Sequence, residues 1–597
     1  MGPQGGQGGN TPENIEFDNY ETIVMAIVEV SHTPRENDNY KAQGLGPQYV
    51  HKWGQTALFN DDYAIQAWRI KAETLDQQFA DHYRKMLNEP NKSAGSYIGE
   101  AKWALEHGML KQCQEMFDEA SKQPTASARD KEQLAAYAKL KEGLARKFDA
   151  PASDVWQKKL PGFSVSFSPE NHYAIFHKHK GDVPEEVTSL GKKLEEQIHA
   201  YYLWFALRGK TLPFPQEMLW AVQVDDVASF KAQREALQLT GLSESFFAPR
   251  DNIAVFSARR LDEAFVTFTK QVSQFYESGW KRDDLLKGKT ISNLGQAAKD
   301  ASESKKKFLR NDYPKMQTLA LLHKALEEEA ERAAVSHDGT LQLLVATGIL
   351  DAHVIAPEWV EFGLASLLET AKGPFPGAGG SAAVALFPNY GAPSWAYLRA
   401  FRTWSKSTDE YTKFDPPAVA LRKTVGDEYF HTAKLPQNLE IDKNLTGEAR
   451  TKREKEIAKL KEASFRAKCQ AWALCYFLAE SHNKELMAYV EELKGMPRDL
   501  EMDDQSMLLS FARAFKLTNT AGDAIDEKKW ETFANDWFNK IQNISSQAKD
   551  LKLDPPKKPA QQGNFPGGPG GGPGMPGGPG MPGGIGGGAG GKPGDGR

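Results

Sequence analysis

The stretch Val335-Ser-His-Asp-Gly-Thr-Leu-Gln-Leu343 decides how this chain is interpreted. A helix that carries His-Glu-x-x-His binds zinc, because its two imidazoles lie one turn apart on one face and the Glu acts as general base. Here His337 occupies the first histidine position, Asp338 the glutamate position and Leu341 the second histidine position. A catalytic zinc needs about three protein ligands and an open position for water. One imidazole cannot supply that set, so the pattern predicts a hydrolase-like scaffold that has lost its metal site.

A second helix is predicted shortly after this stretch. The residues Pro357-Glu-Trp-Val-Glu-Phe-Gly-Leu-Ala-Ser-Leu-Leu-Glu369 have helical spacing and place proline in the first turn, where helices prefer it. The residues from about 314 to 350 predict the long helix that carries His337. Two helices joined by a short loop are therefore expected around the motif.

Strand-like patterns alternate with helical ones upstream of the motif, which predicts a small α+β or α/β sheet domain. The predicted strands cover residues 163–167, 173–177, 218–224 and 252–257, and the predicted helices cover residues 185–202 and 229–239. Helical spacing prevails over residues 47–146, 260–350 and 396–550. The fold class predicted is therefore α+β and predominantly helical.

The composition excludes several classes of protein. The net charge is −5 and the pI is about 6.3, which gives no basic footprint for nucleic acid. The cysteines Cys113, Cys469 and Cys475 form no CxxC pair and are expected to be buried thiols. No run reaches the roughly 18 apolar residues of a membrane span. As written, the chain is expected to be cytoplasmic, or exported if a leader has been lost from its start.

Residues 160–545 resemble the gluzincin-type, peptidase-MA-like family, in particular its exported branch of uncharacterised bacterial proteins. Members of that family have a small sheet domain followed by a His-Glu-Ala-Thr-His-Gln-Leu helix. After a short loop comes a Pro-x-Trp-x-x-Glu-Gly-Leu-Ala helix that donates the third zinc ligand. The resemblance covers about two thirds of this chain and implies a zincin-like helical core with a degenerate motif.

The resemblance implies a role for each position of the two motif helices. His337 matches the first zinc ligand, and Asp338 matches the general base, with a carboxylate drawn back by about 1.5 Å because the side chain is one methylene shorter. Leu341 replaces the second ligand. If the Gly-Leu-Ala phrase fixes the register, Phe362 replaces the third ligand. Glu361 is adjacent, but neighbouring helix positions point about 100° apart, so it could substitute only after a local rearrangement.

The expected organisation has five parts. Residues 1–16 are expected to be disordered, and residues 17–150 to be a helical region that resembles a tetratricopeptide unit. Only one such unit is legible, over residues 93–120, and a solenoid needs about three, so a helical hairpin is favoured. Residues 151–400 form the peptidase-MA-like domain, and residues 401–550 its helical C-terminal part. The Gly/Pro-rich tail, residues 551–597, is expected to be disordered.

Three functions are compatible with this sequence. The favoured hypothesis is a catalytically inactive relative of the zinc metallopeptidases that acts in binding or structural support, without a cofactor. It would bind a peptide or protein ligand in extended form along an edge strand. The second is a metal-dependent peptidase whose zinc is held by a rearranged site of His337, Glu361 and either His353 or Asp338. The third is a scaffold whose helices over residues 47–146 recruit a protein partner.

Overall fold

The computed structural model describes thirteen parts of the chain. These are residues 23–32, 53–59, 63–71, 75–226, 228–230, 245–261, 265–266, 269, 313–370, 382–384, 390–405, 414–433 and 445–544. Contacts divide the chain into the units Met1–Pro555 and Pro556–Arg597. The segments predicted to be disordered, 1–16 and 551–597, lie outside the described residues, as do residues 231–239 of one predicted helix.

The fold is predominantly helical α+β, which confirms the predicted class. Among the described residues, five helices precede the main sheet: α1 (Leu75–Leu87), α2 (Ala94–Glu106), α3 (Leu110–Ser121), α4 (Ala128–Leu144) and α5 (Ser153–Lys159). Helices α2 and α3 pack against each other as the predicted hairpin. Gly108 adopts a φ of 73° in the turn between them, a conformation that costs glycine nothing.

The main sheet has five strands in the order β4 (Ser164–Phe167), β5 (Tyr173–His177), β6 (Leu219–Val224), β8 (Ile253–Ser257) and β7 (Ser245–Ala248). The three central strands run parallel, and both edge strands pair antiparallel to their neighbours. Helix α6 (Glu185–Ala206) lies between β5 and β6 in the chain. The sequence predicted every strand of this sheet except β7, whose residues Ser-Phe-Phe-Ala do not alternate between polar and apolar.

The helical prediction for residues 17–150 is wrong at its beginning. Strands β1 (Ile23–His32), β2 (Trp53–Phe59), β3 (Tyr63–Lys71) and β9 (Ala382–Val384) form a second sheet in the order β2-β3-β1-β9. Strands β2 and β3 pair antiparallel across the short interval 60–62. That interval is Asn-Asp-Asp, a composition typical of turns, and the flanking residues are rich in aromatic and β-branched side chains. Strand β9 lies within residues 151–400, where the sequence analysis predicted no strand beyond residue 257.

The remaining helices build the C-terminal half. They are α7 (Tyr313–Ala346), α8 (Glu358–Ser366), α9 (Trp395–Trp404), α10 (Pro417–Val425), α11 (Glu428–Thr432), α12 (Gly447–Ser481), α13 (Asn483–Leu493), α14 (Asp504–Ala514) and α15 (Glu527–Gln542). Helices α7 and α8 are the two predicted around the motif, and Pro357 is the N-cap residue of α8. In the described part of the chain, every helix falls short of the length or the apolarity that a membrane crossing requires.

Helix α8 lies directly on α12 at Gly363. A Cβ atom at this position would lie 2.3 Å from Cys475 Sγ and 2.9 Å from the carbonyl oxygen of Ala471. Both distances are shorter than van der Waals contact, and one of the two atoms belongs to the backbone. Helix packing therefore requires glycine at position 363, independently of any function of the neighbouring motif residues.

We expect Gly363→Ala to lower the free energy of unfolding by about 1–3 kcal/mol, because the added methyl group overpacks the contact between α8 and α12. Gly99→Ala is the matched control, since no described atom lies within 4 Å of the Cβ it would add in helix α2. The control should be stabilising by about 0.5–1 kcal/mol, the difference in helix propensity. Urea unfolding followed by circular dichroism measures both values. Equal effects of the two substitutions would contradict the close contact.

Candidate functional site

The motif helix α7 is fixed to the sheet and to α6 by buried polar side chains. Gln342 Nε2 donates hydrogen bonds to the carbonyl oxygens of Trp220, at 2.9 Å, and Asn252, at 2.8 Å. Gln197 Nε2 on α6 donates to Thr340 Oγ1 at 2.7 Å. These bonds fix the rotation of α7 about its axis, and with it the direction in which the motif side chains point.

His337 is held by a carboxylate that the sequence analysis did not single out. Its Nδ1 lies 3.1 Å from Glu369 Oε2, and Tyr397 donates its hydroxyl hydrogen to the same carboxylate, at 3.2 Å from Oε1. The Phe362 ring packs against the imidazole, with 4.7 Å between the ring centroids. The structure therefore brings together His337 and Phe362, the positions implied for the first and third ligands.

The electrostatic environment favours a charged imidazole at His337. Burial lowers the pKa of His337, but the Glu369 carboxylate beside it raises the pKa by more, so the net shift is upward. A metal ion binds the neutral imidazole and has to displace the proton. Metal binding at His337 would therefore have to release this proton and break the Glu369 contact.

Asp338, the residue matched to the general base, is buried and bonded to the sheet. Ser245 Oγ, on the edge strand β7, donates a hydrogen bond to Asp338 Oδ2. Burial raises the pKa of Asp338, although His337 and the Ser245 hydrogen bond act in the opposite direction. The Asp338 carboxyl group therefore links α7 to β7 through a hydrogen bond.

Leu341 and Phe362 are both half-buried and pack against the hydrophobic core. Glu361, considered as a substitute ligand, is influenced by other carboxyl groups than those around His337. Burial, followed by the nearby Glu358 and Asp427 carboxyl groups, raises the pKa of Glu361 to about 8. At neutral pH this side chain is mostly protonated, which makes it a weak ligand.

His353 lies exposed in the loop between α7 and α8. Its carbonyl oxygen accepts a hydrogen bond from the Asp499 N–H at 2.8 Å. Among the described residues, one group of three side chains brings its ligand atoms within 4.8 Å of one another, namely Glu170, His172 and Glu195. None of the residues singled out in the motif helices belongs to that group.

Three residues of this site were not predicted from the sequence: Glu369, Tyr397 and Lys468. Lys468 Nζ on α12 lies 5.4 Å from the centroid of the Phe362 ring. Glu369 lies beyond the end of α8 at Ser366, so helical spacing from Phe362 gave no signal for it. Tyr397 and Lys468 come from distant helices and had none.

Comparison with models of protein families, with curated proteins and with solved structures finds no match for this chain. The resemblance to the gluzincin-type family therefore stays a prediction based on the two motif helices.

We expect Glu361→Gln to change how stability depends on pH. The pKa of Glu361 rises from an ordinary value near 4.5 to about 8 on folding, so the folded chain binds the proton more tightly than the unfolded chain. This side chain's contribution to stability is complete below about pH 4.5 and is lost as the pH rises through about 8. The amide cannot ionise, so the variant should lack that decline. Denaturant unfolding at pH 5, 7 and 9 tests this.

Glu448→Gln, in the exposed first turn of α12, is the control and should follow the wild-type pH profile. If Glu361→Gln also follows the wild-type profile, the Glu361 carboxyl group is already ionised in the folded chain at neutral pH.

Proposed function

We propose that this chain is a catalytically inactive, metallopeptidase-like protein that binds a peptide or protein ligand in extended form beside α7 and β7. The observation that carries the proposal is that the polar groups at the motif positions already have partners within the fold. Glu369 engages His337, and Ser245 engages Asp338. Hydrolysis would require these groups to be directed at a metal ion and a water molecule instead.

The protonation states support the same proposal. A general base has to be ionised and within hydrogen-bond reach of the water that it activates. Asp338 is buried, its pKa is raised, and its carboxylate already accepts the Ser245 hydroxyl hydrogen. Glu361, with a pKa raised to about 8, carries little charge at pH 7. Each residue that could assist hydrolysis is thus in a state that opposes it.

The binding part of the proposal depends on strand β7. This strand ends the sheet order among the described strands, and α7 packs against it through the Ser245 contact. An edge strand offers backbone N–H and C=O groups to which an extended peptide can add as a further strand. Phe362 and His337, on the two motif helices, are half-buried and keep part of their aromatic surface exposed. A peptide bound there would be held without being cut.

Peptide cleavage assays distinguish this function from the alternative of a rearranged zinc site at His337 and Glu361. We expect the wild-type chain, supplied with zinc, to cleave a degenerate peptide library no faster than His337→Ala. Metal-dependent cleavage that disappears in His337→Ala would establish the peptidase and end this proposal.

Hydrogen exchange on a peptide selected for binding locates its site. We expect added protection at residues 245–248 and in α7 and α8. Protection confined to α1–α4 would instead favour the helical scaffold that recruits a partner.

We expect the triple variant Leu341→His, Asp338→Glu, Phe362→Glu to bind one more zinc ion per chain than the wild type. The Phe362 ring already packs on His337, and residue 341 lies one turn along the same face of α7, so the new groups converge on the remaining imidazole. Metal analysis after dialysis measures the gain. The double variant Asp338→Glu, Phe362→Glu lacks the second imidazole and serves as the control. If the triple variant gains no zinc, the two helices do not have the geometry that the resemblance implies.

A further inference from the structure

We propose that Glu170, His172 and Glu195 form a binding site for a divalent transition-metal ion of the zinc class, separate from the motif of α7. Each residue contributes one ligand atom, and the three atoms lie within 4.8 Å of one another. Glu170 and His172 lie in the turn between β4 and β5, and Glu195 lies on α6. The site therefore joins two elements that a bound ion would hold together. This proposal is independent of the function proposed above.

The donor set selects the class of metal. One imidazole and two carboxylates suit zinc and its first-row neighbours, whereas magnesium and calcium prefer ligand sets made of oxygen alone. Two ionised carboxylates also balance the charge of a divalent ion. A zinc ion with three protein ligands keeps a fourth position for water.

The two carboxylates are oriented by further hydrogen bonds, as the ligands of protein metal sites usually are. The Oε1 atom of Glu195 accepts hydrogen bonds from Ser168 Oγ and, at 3.2 Å, from the His172 N–H. The Oε2 atom of Glu170 lies 2.8 Å from His199 Nε2. Gln114 Nε2 on α3 lies 3.2 Å from the other nitrogen of that His199 ring. The ligands are thus positioned before any ion arrives.

The contact between His172 and Glu195 can open to admit an ion. His172 Nδ1 lies 2.6 Å from Glu195 Oε2, as expected where a proton is shared. Two ligands at about 2.1 Å from a tetrahedral ion lie about 3.4 Å apart, so this contact would lengthen by about 0.8 Å. The other nitrogen, Nε2, is enclosed, and the Arg146 backbone also acts on this imidazole. Replacing the proton at Nδ1 by an ion therefore breaks one side-chain hydrogen bond, the one to Glu195.

An ion can reach the site from solvent. Glu170 is exposed, while His172 and Glu195 are buried. An ion that first meets the exposed Glu170 carboxylate has a short path to the buried His172 imidazole and Glu195 carboxylate. His199, which already contacts Glu170, stands close enough to the group to exchange partners with it.

The test uses the full chain, stripped with a chelator, dialysed and titrated with zinc chloride. We expect one zinc ion per chain by calorimetry, accompanied by a rise in the melting temperature. Glu170→Gln should weaken zinc binding at least about tenfold. Because Glu170 is exposed and this substitution leaves the pair of His172 and Glu195 intact, the variant should fold. Glu186→Gln, an exposed glutamate near the start of α6, should bind zinc as the wild type does.

His337→Ala separates this proposal from the one about function. We expect it to retain the zinc of the wild type. If His337→Ala loses zinc and Glu170→Gln keeps it, the metal belongs to the motif helices, and both proposals fail. If the stripped wild type takes up no zinc, or if wild type and Glu170→Gln bind it equally, this metal site alone is refuted. Glu195→Gln, with its folding checked by circular dichroism, should lose zinc as Glu170→Gln does.

Discussion

The backbone contact between α8 and α12 at Gly363 is the constraint on which the geometry of the motif region depends. Helix α12 carries a buried apolar stretch that includes Ala471 and Cys475, and α8 can approach it only because residue 363 has no side chain. The N-terminus of α8 is fixed by Asp427, whose carboxylate accepts the backbone N–H groups of Glu358 and Trp359. Because Asp427 caps its N-terminus and its middle packs closely on α12, helix α8 is restricted to one rotation about its axis. That rotation directs Phe362 toward α7 and His337.

A catalytic metal site needs polar groups that the surrounding protein leaves available, and the motif region has the opposite property. Both oxygens of the Glu369 carboxylate have partners, His337 and the Tyr397 hydroxyl. Asp338 accepts a hydrogen bond from Ser245 on a neighbouring strand. Buried polar groups whose hydrogen bonds are satisfied stabilise and rigidify a fold. A buried set of metal ligands is costly to keep when it has neither a metal ion nor other hydrogen-bond partners. The polar groups of the motif helices therefore contribute to the stability of the fold.

Local sequence patterns predicted part of this structure, and there are physical reasons why they did not predict the rest. The helices α7 and α8 and four strands of the main sheet have clear periods over enough residues to be recognised. Strand β7 is Ser-Phe-Phe-Ala, which does not alternate. Strands β2 and β3 lie within the region predicted to be helical, although the Asn-Asp-Asp between them is a turn signal. Within the site, the sequence predicted His337 and Phe362 together but missed Tyr397. A partner from another helix becomes visible only when the packing of the whole chain is known.

Two of the histidine–carboxylate pairs in this structure, His337–Glu369 and His172–Glu195, differ in what surrounds each imidazole. At His337 the second donor to the carboxylate is a tyrosine hydroxyl, and an aromatic ring covers the imidazole, so the pair is complete by itself. At His172 a third ligand atom, from Glu170, lies within 4.8 Å of the ligand atoms of the pair. A cation is favoured where charges of one sign converge and are left unbalanced, and it is disfavoured where they are already neutralised. The residue types of a motif identify where a metal could bind, but the balance of charge around each imidazole decides where it would.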